Sequence, residues 1–333
     1  RLYVAPEVIP DRTVTNFAAD GGTGKSLITL DLAAAIVTGS EWLGLRPAQG
    51  PVVYLSAEDD LDEIHRRLAD IVAERNLALA DLTDLHILPL AGRDALLATF
   101  DRAGVISPRP LWQTLRGLVA KIKPRLVVLD TLADVFGGNE IDRAQTRAFV
   151  GMLRGLAIEH DLAVLTLSHP SLTGMATKTG TSGSTAWSNS VRSRLYMERP
   201  KSDDGSELDP DVRLLTVKKS NYGRIGREFR LRWHNGVFRP AGDATLDRTT
   251  SSHRVEQLFL YLLRTHIEQG RDVADRPSRT FAPAVFAEHP KAEGVTSTAF
   301  KRAMENLFDR GIIGTETVGP PSKRRSRLIL KSD

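Results

Sequence analysis

Over the first 240 residues, short apolar runs alternate with stretches of helical periodicity, the pattern of a parallel sheet covered by helices. Residues 14–18 read as a strand that leads straight into a Gly-rich segment. Lys25–Thr38 follows as a helix with Leu27, Ile28, Leu30, Leu32 and Ala35 on its buried side. A second strand is expected over 51–57, a charged helix over 61–75, a third strand over 86–90 and a helix over 111–121. Leu126–Asp130 is an unbroken run of Leu and Val ending in an acid, as central parallel strands are. An amphipathic helix over 143–160 and a buried strand over 162–167 continue the alternation.

The pattern changes after His169. Residues 170–190 are rich in Ser, Thr and Gly and almost free of large aliphatics, which makes them either a functional loop or a disordered one. Strands resume at 191–198, 212–219, 227–233 and 236–239 with the spacing of an antiparallel meander. Residues 243–252 read as a linker. Beyond them, 253–268 and 296–310 form amphipathic helices, and Gly311 caps the second. Two short strands, 312–318 and 327–330, are joined by the basic segment GPPSKRRS. Helices followed by a β-ribbon with a basic tip outline a winged helix. The expected organisation is an α/β domain over 1–242, the linker, and a small α+β domain over 253–333.

Composition narrows this picture. A chain of 333 residues is longer than a typical single domain, so two domains are the first expectation. No apolar run reaches the roughly 18–20 residues of a membrane span, and no secretory segment opens the chain, so a cytoplasmic location is expected. The first residue is Arg1 and not Met, which suggests that a native N-terminal piece is missing or processed. The absence of cysteine excludes disulfides, Cys-ligated zinc and thiol catalysis. Residues 251–333 carry 14 Lys and Arg against 10 Asp and Glu, which equals the net charge of +4 for the whole chain. A basic tail on a balanced body points to a polyanion partner.

The chemistry begins at Ala19-Asp20-Gly21-Gly22-Thr23-Gly24-Lys25-Ser26. A phosphate loop needs small residues so that backbone N–H groups can converge, a Lys for the β/γ oxygens and a hydroxyl for Mg²⁺. Gly21, Gly22 and Gly24 meet the first need, Lys25 the second and Ser26 the third. The loop lies between an expected strand and an expected helix, which puts phosphates at a helix N-terminus. Ala19 stands where such loops usually begin with Gly; it fits if its φ is negative. ATP and Mg²⁺ are the implied ligands.

Asp130 ends a hydrophobic strand downstream of this loop, where a carboxylate reaches Mg²⁺ directly or through water. Thr131 follows it, not Glu, so a general base must come from elsewhere. Glu58, just after the second strand, is preferred over Asp59 and Asp60, which can instead cap the following helix. His169 ends another strand on the same side and is a candidate sensor of the γ-phosphate. Lys178, in the polar loop behind it, is a candidate for nucleic-acid phosphates. Arg192 and Arg194 alternate along a later strand and are candidates for an arginine finger or for structural ion pairs. Lys218, Lys219 and Asn221 form a further polar cluster. Neither a nucleophile elbow nor a dinucleotide fingerprint is present.

The ordered blocks DGGTGKS, YLSAEDD followed by IHRRL, LVVLDTL, LSHPS, GST followed by NSVR, and KKSNYG lie within residues 20–223 and carry a resemblance that covers roughly residues 10–240. With them the chain resembles the RecA-like hexameric ATPases, most closely RepA replicative helicases of mobilisable plasmids and their phage and prophage relatives. The resemblance implies a RecA-like P-loop core with a mainly parallel sheet flanked by helices. It implies a loop, from Gly21, Gly22, Thr23 and Gly24 to Lys25 and Ser26, that holds nucleotide. It also implies Ser26 and Asp130 on Mg²⁺, Glu58 as base and His169 as phosphate sensor. Arg192 matches a finger acting in trans across a ring interface, with Lys219 beside it and Arg194 as the alternate.

The extension beyond the KKSNYG block is similar to the winged-helix tails of prophage-encoded ATPases. Lys301 and Arg302 on its second helix, and Lys323, Arg324, Arg325 and Arg327 on the wing, would contact DNA phosphates. The implied function is a homo-oligomeric, hexameric DNA helicase, with single-stranded DNA at the core loop and duplex at the tail. The alternative is a DNA-binding regulatory or defence ATPase in which ATP controls assembly without unwinding.

Overall fold

The computed structural model describes residues 2–169, 185–201, 207, 209–241, 248–292, 295–318 and 325–331. The chain divides into two compact units, 1–245 and 246–333.

The first unit is built on nine strands: β1 (Val14–Ala19), β2 (Val52–Ser56), β3 (Leu85–Pro89), β4 (Leu126–Asp130), β5 (Ala163–Ser168), β6 (Ser193–Glu198), β7 (Val212–Ser220), β8 (Glu228–His234) and β9 (Val237–Pro240). They form one sheet in the order β3-β2-β4-β5-β1-β6-β7-β8-β9. From β3 to β6 all neighbours run parallel; β7, β8 and β9 continue antiparallel as a meander. This is the α/β class with a mainly parallel sheet that the alternation predicts.

Both faces of the central strands are covered, which is why β4 reads as an uninterrupted apolar run. Successive residues point to opposite faces, so the usual alternation of apolar and polar positions is replaced by two interleaved apolar sets. On one face Val52, Tyr54, Leu126, Val128 and Leu165 pack with α1 (Lys25–Thr38) and α2 (Leu61–Glu74). On the other, Val53, Leu55, Val127, Leu129 and Val164 pack with α3 (Pro110–Ile122), α4 (Arg143–Glu159) and α5 (Thr185–Ser190). Caps set the helix starts: Asp60 accepts from Glu63 N, and Asp142 accepts from Ala144 N and Gln145 N.

Several short pieces carry no periodic signal. Ala98–Phe100, Ile106–Pro108 and Phe136–Gly137 form a small three-stranded sheet, and Tyr3–Ala5 pairs with Ile9–Pro10. Strands of two or three residues are too short for alternation to mark them.

The second unit holds α6 (Arg248–Glu268), α7 (Ala282–Ala287), α8 (Ser297–Asp309) and a hairpin of β10 (Ile313–Val318) and β11 (Arg325–Leu330). Its own core joins Phe259, Leu263, Phe286, Phe300, Leu307 and Leu328. Helix α6 begins at Arg248, so residues 248–252 are helical where the sequence suggested linker. The apolar stripe starts later than the helix, because a polar first turn adds no hydrophobic periodicity. No helix among the described residues is long and apolar enough to cross a membrane.

Candidate nucleotide site

Parallel strands in register bring their C-terminal ends to one edge of the sheet. Ser56 pairs with Asp130 across β2 and β4, Thr166 pairs with Leu129 across β5 and β4, and Ser168 pairs with Ala18 across β5 and β1. Glu58, Asp130, His169 and the Gly-rich loop therefore meet at the edge where ligands of open α/β sheets bind. A cleft there is lined by Asp20, residues 22–26, Glu58, Asp59, Arg67 and His169.

The loop leaves β1 at Ala19, which is buried and extended, so the missing first Gly costs nothing in backbone conformation. Gly22 and Gly24 take φ of 66° and 97°, the left-handed region where Gly carries no steric penalty. Gly24 is the N-cap of α1, and with no acid in the first helical turn, the helix N-terminus faces the cleft with its partial positive charge. Lys25 is only 5% exposed and lines the cleft.

Asp130 is 1% exposed. Its Oδ2 accepts a 2.8 Å hydrogen bond from the Tyr54 hydroxyl, whereas Oδ1 is buried with no partner. Burial pushes the Asp130 carboxyl above its ordinary range, opposed by the neighbouring Ser26 hydroxyl, the Tyr54 hydrogen bond and the Lys25 charge. Burial, followed by the Asp130 charge, raises the Tyr54 phenol well above its usual range, so it remains a donor. An orphaned carboxylate oxygen beside a Ser hydroxyl, at the edge of a phosphate loop, is the donor set that Mg²⁺ with several waters requires. The residues present thus fit Mg²⁺, which Ser26 and Asp130 would hold.

The three consecutive acids separate. Asp60 caps α2, and Asp59 is paired with Arg67. Glu58 alone faces His169, with Oε1 3.2 Å from Nε2. Both side chains are nearly half exposed, so water reaches them. Thr131, after Asp130, donates to Asp134 Oδ2 at 2.7 Å and is committed to the following turn.

The remaining candidates lie elsewhere. The Arg192 N–H donates to Val14 O at the start of β1, and Ser193 pairs with Thr15. Arg192 is therefore at the opposite end of β1 from the loop, about 17 Å away at the rise of a strand. Lys219 pairs with Arg194 and donates to Ser188 O at 2.6 Å and Val191 O at 2.9 Å. Burial lowers its pKa, and Arg192 and Arg194 add to the effect. Lys219 is thus set against the carbonyls that end α5, beside Arg192, and not against the loop of its own chain. Lys178, Lys323 and Arg324 lie outside the described residues, and Arg325 opens β11.

In the second unit Lys301 and Arg302 are exposed on α8. Arg327 is paired within its own unit. Its guanidinium donates to Glu316 Oε2 at 2.8 and 3.0 Å and to Asp272 Oδ1 at 3.4 Å, and these carboxylates raise its pKa. Glu316 and Arg327 lie opposite each other across the β10–β11 hairpin, which is why their charges meet.

Sequence reasoning missed Tyr54, Arg67, and the residues that hold the loop from behind. Arg199 donates to Gly22 O at 3.0 Å, Arg213 Nε to Thr23 O at 3.0 Å, and the Tyr196 hydroxyl to Asp20 Oδ1 at 3.2 Å. One signal was available: Arg213 occupies a position in VRLLTV whose alternation assigns it to the buried face.

A family model described as an AAA domain matches residues 1–175, more than half of the chain. A crystal structure of the RadB recombinase is similar at 13% sequence identity and a TM-score of 0.46, over 69% of this chain and 91% of that one. The matched segment contains β1 to β5, the loop, Glu58, Asp130 and His169. The chain belongs to the AAA domain family, as a P-loop ATPase.

Proposed function

We propose that the protein is an oligomeric, DNA-stimulated ATPase of the RepA helicase type, a ring in which two neighbouring subunits share each nucleotide. The position of Arg192 carries this reading. It stands about 17 Å from its own phosphate loop along β1, so a role at a γ-phosphate requires the loop of another subunit.

In this reading Lys25 and the loop N–H groups hold the phosphates, while Ser26 and Asp130 hold Mg²⁺. Bound Mg²⁺ supplies neutralisation of the β- and γ-phosphate oxygens. Glu58 accepts the proton of the attacking water, and His169, 3.2 Å from it, couples that carboxylate to the segment that follows β5. Arg192 stabilises charge in the transition state from across the interface, backed by Lys219, with Arg194 as the alternate. Single-stranded DNA is assigned to the residues after His169, including Lys178.

The second unit is proposed as a winged helix over the residues beyond 252. Its order supports this: α6, a strand-like segment whose Val273 O accepts from Leu328 N, then α7, α8 and the β10–β11 hairpin. Lys301, Arg302, Lys323, Arg324 and Arg325 are the proposed contacts with duplex phosphates.

Mixing tests the shared site. Arg192→Ala and Lys25→Ala proteins should each hydrolyse little ATP alone, and their mixture should regain activity, because some interfaces then pair an intact loop with an intact finger. Mixed assemblies, verified by mass with ATP and single-stranded DNA, that regain nothing would reject the trans finger. A mass that stays monomeric under all these conditions would reject the ring.

A further inference from the structure

The phosphate loop is held from the side opposite its cleft by residues of the meander, and none of these lines the cleft. Arg213, on β7, is 7% exposed and sits between the apolar residues Val212 and Leu214. Its Nε donates to Thr23 O at 3.0 Å, and one terminal nitrogen donates to Pro210 O and to Val212 O at 2.9 Å. A guanidinium taken out of water at this depth is expensive unless its N–H groups are matched. Burial lowers the pKa of Arg213, and the Arg199 charge adds to that. All the acceptors named are backbone carbonyls.

The Thr23 carbonyl matters for what lies across its peptide. In a trans peptide the C=O and the next N–H point in opposite directions. Drawing Thr23 O towards β7 therefore turns the Gly24 N–H away from β7, towards the cleft. Phe238, on β9, fixes the same residue from behind. A Cβ on Gly24 would lie 2.4 and 2.7 Å from ring atoms of Phe238, and Arg213 Cζ lies 5.8 Å from the centroid of that ring. Arg199, a third exposed and paired with Glu207, holds the preceding carbonyl, Gly22 O, from the same side; the N–H across that peptide, on Thr23, donates to Asp20 O within the loop.

We infer that Arg213 is a positioning residue for nucleotide binding: by holding Thr23 O from behind it aims the Gly24 N–H at the phosphates, with Phe238 and Arg199 as supports. The inference rests on the nucleotide reading of this cleft. It makes the meander part of the phosphate site, although the strands that carry it lie beyond the loop, Glu58, Asp130 and His169 in sequence.

The test uses the full chain and a fluorescent ATP analogue, with Lys25→Ala as the control that abolishes binding. Arg213→Lys keeps the charge but lacks the fork that spans Thr23 O and Val212 O; Arg213→Gln removes both. Each is expected to weaken ATP binding about tenfold or more, the loss of a charge-assisted hydrogen bond. The turnover at saturating ATP should change by less than about threefold, since no reacting atom is touched. Arg199→Gln, at a site a third exposed, should weaken binding in the same sense with an unchanged melting temperature.

A merely structural Arg213 would lower the melting temperature and the active fraction and leave the affinity of the folded protein unaltered. That outcome overturns the inference, as does a folded Arg213→Lys protein that binds ATP within about twofold of wild type. A wild-type protein that binds no ATP would instead remove the nucleotide reading on which the inference stands. If neither Arg213 variant folds, an Arg199→Gln protein with wild-type affinity overturns it.

Discussion

Glu58, Asp59 and Asp60 are chemically alike and adjacent, yet they do three different things. A helix start takes Asp60, the Arg67 guanidinium takes Asp59, and Glu58 is left facing His169. Composition cannot make that division; the path of the chain out of β2 does. Burial makes a comparable distinction at Asp31, which pairs with Arg75 at 2.7 Å across α1 and α2. Its carboxyl is raised by burial and partly restored by the Arg75 hydrogen bond and charge. A raised carboxyl contributes stability below its unfolded pKa and loses it as pH rises through the folded value. Arg75→Met removes the groups that lower that value and leaves Asp31 buried without its partner. The variant is expected to lose about 3–5 kcal/mol at neutral pH. The gap to wild type should narrow as pH falls, because the variant's Asp31, without Arg75, takes up its proton at a higher pH than the wild type's. Urea unfolding at several pH values checks both the size and the sign; a gap that is flat with pH would discard the account.

At the scale of elements, α5 is short and owes its place to packing. Trp187 meets Phe136 edge-on with ring centroids 5.0 Å apart and Phe149 at 6.3 Å, and Phe100 extends the cluster through Phe136. The same helix ends on the carbonyls of Ser188 and Val191 that receive Lys219, one residue before Arg192. Phe136 lies shortly after Asp130, so the aromatic cluster joins the acid strand to the base of the proposed finger. Trp187→Ala is expected to cost about 3–5 kcal/mol, the range for emptying a large buried aromatic site. Trp187→Phe should cost clearly less. Denaturant midpoints measure this, and a Trp187→Ala protein as stable as wild type would show that the cluster does not hold α5. The longer elements needed no such help to be read. Lys25–Thr38 and Leu126–Asp130 have the same bounds in the structure as in the apolar pattern. The two- and three-residue strands and the polar start of α6 went unread because period needs length.

At the scale of the molecule, the charge excess beyond residue 250 becomes more selective. Lys301 and Arg302 stay exposed, whereas Arg327 is tied to Glu316 and Asp272 within the unit. Lys301→Ala with Arg302→Ala is therefore expected to weaken DNA binding and to reduce the salt dependence of affinity by up to about two counterions. Arg327→Ala should lower the melting temperature and leave that slope nearly unchanged. Binding titrations from low to moderate salt separate the two; equal slopes for both variants would contradict the distinction.

Some of this protein was readable along the chain because the physics involved is local. A strand–glycine–Lys–Ser–helix sequence sets its own backbone, and a strand buried on both faces must be apolar throughout. The phosphate loop, the parallel class and the acid at the end of β4 follow from such short-range rules. What joins distant segments needed the fold. Strand order puts Glu58 and His169 within 3.2 Å although more than 100 residues separate them, and it sends Arg192 to the far end of β1. It also brings Arg213 and Phe238 behind Thr23 and Gly24. Register between strands is a property of pairs, and no single segment contains the information that selects its neighbour.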